Sequence, residues 1–147
     1  FDLRLTLEHV TEGHLIADEL AKEKDVPMAV GPSLTFASKF ELQNKSWKTP
    51  DVLANAGCHV SIITDNSVIP QQYLPLCAGM AVKAGMDPLD ALKAITINPA
   101  KHIGIADRVG SIEVGKDADL VLTDGCPFEV MTNVKAVLIN GAVVSQK

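Results

Sequence analysis

An α/β fold is predicted for this 147-residue chain from three observations. Short apolar runs alternate with helical stretches in the order strand, helix, strand, helix, strand; three helical stretches then follow one another; and from Arg108 onward the chain turns to short β-rich runs separated by Gly-containing turns. The length suits one ordinary domain with a real core. Strands that alternate with helices pair in parallel through right-handed crossovers, so the carboxyl ends of all three strands share one rim. His9, Gly31–Pro32 and Asp65 stand at those ends. In an open parallel sheet and in a closed barrel alike, that rim is where loops assemble a site.

The first strand reads residues 3–9, on an alternation that begins at Phe1. Residues 13–23 carry Leu15, Ile16, Leu20 and Ala21 at helical spacing with Asp18, Glu19, Lys22 and Glu23 between them, an amphipathic helix. Residues 26–30 are apolar enough for a strand buried on both faces, and Gly31–Pro32 stops it. The polar stretch 33–48 is long for a connection, which points to function or disorder, and Trp47 is its expected anchor. Thr49 is read as a cap, Pro50 as the first helical residue and Gly57 as the stop of a short helix. A third strand follows over 59–64 and ends at Asp65. Helices are predicted over 69–84, from the Asp87–Pro88 start to Ile97, and from Asn98–Pro99 to Gly104. In the tail, Asn140–Gly141 separates two apolar runs as a hairpin turn within a small antiparallel unit.

Composition excludes several function classes. A net charge of -5, from 13 Lys+Arg against 18 Asp+Glu, leaves no clustered basic surface for a phosphate backbone, so no nucleic-acid partner is expected. Charged or amide residues interrupt every apolar run before the roughly 20 residues a bilayer requires, and no membrane association is expected. Three cysteines with no C-x-x-C pair point to buried thiols in a cytoplasmic protein rather than a disulfide framework. The chain starts at Phe1 without a secretion pattern, as expected of a piece of a longer protein.

His9 and Asp65 are an imidazole and a carboxylate at strand ends, the two donor types that zinc, manganese or iron accepts beside water. A catalytic zinc takes about three protein ligands, so two residues do not complete a site. The structural alternative is that His9 bonds locally and Asp65 caps the next helix. His14, five residues beyond His9, lacks the i, i+4 spacing of a helical ligand pair and reads as partly exposed and structural. His59 opens the third strand at the end opposite the rim, and His102 lies on a short helix; both read as packing or surface histidines. By strand alternation Glu8 faces away from His9, toward the outer layer. Residues 110–117 approach the spacing of a phosphate-binding loop, but Asp117 stands where Ser or Thr is needed and a strand follows instead of a helix, so a turn is expected. Ser33 and Ser67 lie in no G-x-S-x-G elbow, and serine hydrolysis is rejected.

The segments Leu7-Glu8-His9-Val10-Thr11-Glu12-Gly13, Val30-Gly31-Pro32, Ile63-Thr64-Asp65, Ala91 to Lys101 and Gly110 to Val121 together resemble the C-terminal part of metal-dependent amidohydrolases, in the branch of imidazolonepropionase-like enzymes and related dipeptidases. The resemblance implies the C-terminal portion of a (β/α)8 TIM barrel, strands six to eight, over residues 1–106, and closing strands of a small composite β-sandwich over 107–147. It implies one or two divalent metal ions, zinc first among them, in the full-length protein. His9 would be the strand-six histidine, binding a second metal or contacting the substrate carbonyl. Asp65 would be the strand-eight aspartate, both metal ligand and catalytic base. Gly31 and Pro32 would line the substrate side, and the turn at 115–119 would be structural.

The same resemblance places the remaining ligands, a His-x-His pair, a bridging lysine or glutamate and another histidine, upstream of Phe1. The expected activity is hydrolysis of a C–N bond in a small cyclic amide or dipeptide-like substrate. The fragment alone should be inactive without the N-terminal part of the same polypeptide. An incomplete barrel exposes strand edges, so a homo-oligomer is expected. The competing expectation is a complete, non-catalytic α/β module in which His9 and Asp65 only cap and pack.

Overall fold

The computed structural model describes residues 3–147. Its parallel sheet pairs β1 (Met28–Val30) with β2 (Val60–Ile62), Met28 opposite Val60 and Val30 opposite Ile62. Every residue of both strands is buried, as expected where helices cover the faces of a parallel sheet.

The expected first strand contracts to a single parallel bridge, Leu7 to Met28. That register sets residues 3–6 opposite residues 24–27, where the chain is still turning and where Pro27 has no N–H to give. Phe1 and Asp2 lie outside the described residues.

Residues 13–23 are helical throughout, in three pieces: a 3₁₀ turn Gly13–Ile16, α1 (Ala17–Leu20) and a 3₁₀ turn Ala21–Glu23. Ala17 and Leu20 pack with Val10 and Leu53 on Met28, Val30 and Val60. Leu15 and Ile16, which the sequence places on the buried stripe, are exposed instead. The tighter 3₁₀ winding changes the angular step and swings both out of the stripe.

Helix α2 (Thr49–Asn55) begins as its Pro50 predicts, but its N-cap is Lys48 and no side chain caps it. Thr49 is fully buried and serves elsewhere: its Oγ1 donates to the Thr11 carbonyl at 3.1 Å and lies 2.7 Å from His14 Nδ1. His14 is partly buried and structural, as expected.

Helices α3 (Leu74–Lys83), α4 (Pro88–Ala94) and α5 (Ile97–Ile103) follow β2. Ile62, Ile69, Cys77, Ala78, Met86 and Ala91 form their common core, with Trp47 against it. Asp87 caps α4, accepting from Leu89 N at 2.8 Å and Asp90 N at 3.2 Å. The helix expected to run through Ile97 stops at Ala94, because Pro99 lacks an N–H and is tolerated only in a first turn, so α5 must start afresh.

The tail is an antiparallel sheet in the order β3 (Leu120–Thr123), β4 (Val134–Ile139), β5 (Ala142–Gln146). Asn140 and Gly141 join β4 to β5 with φ of 49° and 78°, the left-handed pair that a two-residue hairpin turn requires. The sheet is largely exposed. Residues 110–117 are turns tied by Arg108 to Asp117 at 2.6 Å and Lys116 to Ser111 at 2.5 Å, not a phosphate loop. Cys58 and Cys77 are buried free thiols; Cys126 is exposed, against the expectation of a third buried thiol, because the loop that bears it has no layer over it. No described helix is long and apolar enough to cross a membrane.

Candidate functional site

His9 and Asp65 meet. The imidazole Nε2 lies 3.3 Å from Asp65 Oδ2, with 56% and 37% of the two side chains exposed. The backbone explains how residues 56 positions apart are aimed at each other. Ala29 donates its N–H to Leu7 O at 2.8 Å and accepts from Val10 N at 2.9 Å. A regular parallel ladder would take that second bond from residue 9, so the Glu8–His9 stretch carries one extra residue, a bulge of the kind that re-aims a side chain at the edge of a site. His9 absorbs it with φ 57°, and Asp65 leaves β2 with φ 51°. Both are left-handed, a conformation that costs most L-residues about 1 kcal/mol or more but that His and Asp adopt more readily than most. An exposed polar contact of this kind gains too little to offset strain at two positions. Backbone strain at a shared rim is a feature of functional sites.

Gly31 brings the strand ends together. Its φ is 142°, and a Cβ there would lie 2.3 Å from the Ile63 carbonyl oxygen, so no other residue permits this approach. Gly31 is buried behind the rim, whereas Pro32, joined to it by a cis peptide bond, faces the open space. That space is a cleft of about 1090 Å³ lined by His9, Asp65, Pro32, Phe36, Lys39 and Val68 among others. The long 33–48 connection forms one wall. It is held by Lys45 Nζ, which donates to the Thr35 carbonyl and hydroxyl, and by Asn44 N, which donates to the Glu12 carboxylate at 2.6 Å. Burial lowers the Lys45 pKa.

Sequence reasoning missed Glu12, Leu15 and Ile16, which also line the cleft. The signal was present: an apolar pair immediately after the His9 segment, read as core because a continuous α-helix was assumed.

Glu8 corrects the alternation argument. It faces not an outer layer but the concave side of the sheet, in a cavity of about 430 Å³ shared with Arg4, Ala29, Ser61, Pro99 and His102. His102 is buried, and its Nε2 lies 3.0 Å from Glu8 Oε1. The outer faces of the strands carry Met28, Val30 and Val60 against helices, which leaves the concave side to the small and polar residues. His59 is partly buried with Nε2 unpaired, and burial first, then the nearby Lys101 and His102, pushes its pKa below the usual histidine value against the opposing influence of the Asn98 side chain.

Among the described residues, no three His, Cys, Asp or Glu side chains form a cluster able to hold a metal ion. The donor chemistry of the His9–Asp65 pair still fits a divalent cation: one imidazole nitrogen and one carboxylate oxygen converge on accessible space, as two members of a larger ligand set.

The amidohydrolase family model matches residues 4–144. Imidazolonepropionase from Thermoplasma volcanium is 34% identical over 136 residues, covering 84% of this chain and 33% of its own length. Adenine deaminase from Methanosphaera stadtmanae is 44% identical over 75 residues, 51% of this chain and 13% of its own. An amidohydrolase from Thermotoga maritima MSB8 superposes with a TM-score of 0.92 at 41% identity, over 97% of this chain and 37% of that one. An adenosine deaminase from Xanthomonas campestris with bound zinc superposes with a TM-score of 0.63 at 25% identity, over 95% of this chain and 36% of that one. The chain thus spans a third or less of the length of these curated relatives. The likeness gives it a TIM-barrel-type fold of mixed α/β content. By a family match that runs over nearly its whole length, the chain belongs to the amidohydrolase family.

Proposed function

We propose that this chain is the C-terminal portion, barrel strands six to eight over residues 1–106 and closing sandwich strands over 107–147, of a metal-dependent amidohydrolase that hydrolyses a C–N bond of a small amide, cyclic amide or dipeptide. The observation that carries the reading is the His9–Asp65 pair, held 3.3 Å apart on left-handed backbone at the mouth of an open cleft. The family match and the 34% identity to an imidazolonepropionase support a C–N hydrolase, with a cyclic amide as its first candidate substrate. The 44% identity to an adenine deaminase supports a second reading, removal of an exocyclic amine from a nucleobase.

His9 and Asp65 would hold one or two divalent cations, zinc first, with ligands from the upstream part of the polypeptide; a bound cation supplies Lewis acidity to polarise the scissile bond and make water acidic near neutral pH. Asp65 is the base: a carboxylate at the cleft mouth takes a proton from attacking water and returns it to the leaving nitrogen, so the proton is conserved through the cycle. His9, 3.3 Å away, would be a ligand of the second cation where two are held, and would present its imidazole to the substrate carbonyl where there is one. Gly31 sets the rim and Pro32 the adjoining wall on which the substrate rests.

Metal analysis and turnover of the complete polypeptide test the reading, with cyclic ureides, lactams, dipeptides and nucleobases as substrates. His9→Ala and Asp65→Asn are expected to lower bound metal, and Asp65→Asn to lower kcat by ~10²–10⁴-fold, the usual contribution of a positioned base. Unchanged metal and turnover in both variants would dismiss the assignment.

A further inference from the structure

We infer that helix α5 sets the separation of His9 and Asp65, with His102 and Asn98 as its positioning residues; the inference rests on the proposed role of that pair. The sheet alone does not fix the separation. Backbone pairing skips a residue at Glu8–His9, and after Ile63 N, which bonds Val30 O at 3.0 Å, the chain turns into the left-handed Asp65. The backbone bonds bracket His9 and Asp65 without reaching their side chains, and α5 supplies a second tie from outside the ladder.

Helix α5 is bonded to both. Asn98 Nδ2 donates to Val60 O at 2.8 Å, at the root of the strand that delivers Asp65. One helical turn later, His102 Nε2 reaches Glu8 Oε1 at 3.0 Å, on the residue directly before His9. Arg4, earlier in that same segment, donates to His102 O at 2.5 Å and Lys101 O at 3.4 Å, which ties the segment to the last turn of α5. Seven residues of rigid helix therefore bridge the segment bearing His9 and the strand bearing Asp65 from beneath the rim.

The His102–Glu8 bond acts nearer in sequence to the site, on the residue next to His9. Removing the imidazole takes from Glu8 its anchor on the concave side, while His102 itself is 8% exposed and has little freedom to move away. The bulge at Glu8–His9 then keeps only the His9–Asp65 contact as a side-chain restraint, and His9 is freer to rotate out of its left-handed turn. Loss of a group that orients a metal ligand typically weakens metal binding by ~10–100-fold.

The test uses the complete polypeptide and cobalt(II) as the probe metal, followed by its visible absorption, alongside metal-free crystal structures of each variant. His102→Ala and Asn98→Ala are expected to weaken cobalt binding ~10–100-fold, the usual effect of losing an outer partner, and His102→Gln, whose amide N–H can replace Nε2, to restore most of it. In metal-free His102→Ala the His9–Asp65 separation should open beyond hydrogen-bond reach. Met86→Ala, in the core cluster of α3 and α4, is the stability control and should leave cobalt affinity unchanged. An unaltered His9–Asp65 separation in His102→Ala, or equal loss of cobalt binding in Met86→Ala, overturns the inference. If the parent protein takes up no cobalt, the metal reading fails, and the metal-free separations still decide whether α5 sets the spacing.

Discussion

The parallel and antiparallel halves of the chain handle the same problem, hiding apolar strand surface, in opposite ways. β1 and β2 are only three residues each, yet every position is buried because helices from the same chain cover the outer side. β3, β4 and β5 are longer and better paired, yet Val121, Val143 and Val144 remain more than half exposed. Hydrogen bonding and burial are therefore separate contributions here. The antiparallel sheet satisfies its backbone within local hairpins, whereas the parallel pair depends on side-chain packing contributed by segments far along the chain. The candidate site stands on the second kind of support.

Substitutions can break or sharpen that contrast. The largest effect on stability is expected for Leu53→Ala, which empties a fully buried position beneath β1 and β2 and should cost ~2–5 kcal/mol in urea unfolding. Val144→Ala in β5 should stay within ~0.5 kcal/mol, as for surface sites generally. Equal losses would erase the distinction between the halves. Asp87→Ala comes next: it frees the two N–H groups at the start of α4 and should cost ~1 kcal/mol.

The smallest effects are expected from pH, and they should separate the halves by range. His59, beside β2, has a pKa lowered chiefly by burial, so below the usual histidine value of about 6.5 the unfolded chain takes a proton that the folded one resists. Stability should fall as pH drops through that range, and His59→Gln should flatten the slope. Asp124, beside β4, is pulled down to about 2 by the Asn133 backbone N–H, then by Lys135 and the Asn133 side chain. Its contribution is complete above the usual aspartate value and is lost only as pH falls toward about 2. Unfolding midpoints at pH 7.5, 5.5, 4.5 and 2.5 read both, and an Asp124→Asn variant that changed the slope near pH 6 would contradict the separation.

Much of the topology was legible because it is written in local chemistry. Asp87–Pro88, Asn98–Pro99 and Asn140–Gly141 each act within a turn, and each falls where expected. The rim was legible for the same reason: strand ends are marked by Gly31–Pro32 and Asp65. What escaped was set by tertiary geometry. Thr49 looked like a cap but is claimed by Thr11 and His14 from another segment. Strand alternation points Glu8 to the outer layer, whereas the cavity it shares with Ser61 and His102 lies on the opposite face, a placement decided by which side the helices cover. Leu15 and Ile16 carry the periodicity of a buried stripe but sit in a 3₁₀ turn that opens them to the cleft.

The left-handed backbone at His9 and Asp65 also restricts what mutation can try at this rim. Valine, isoleucine or threonine would meet a steric penalty before any question of reactivity arose, while glycine, asparagine, aspartate and histidine are admitted. Three of those four carry a lone pair suited to cations or protons. The main chain thus acts as a sieve, narrowing the side chains these two positions accept to a few, most of which still offer a cation a donor atom even where they cannot act as a base.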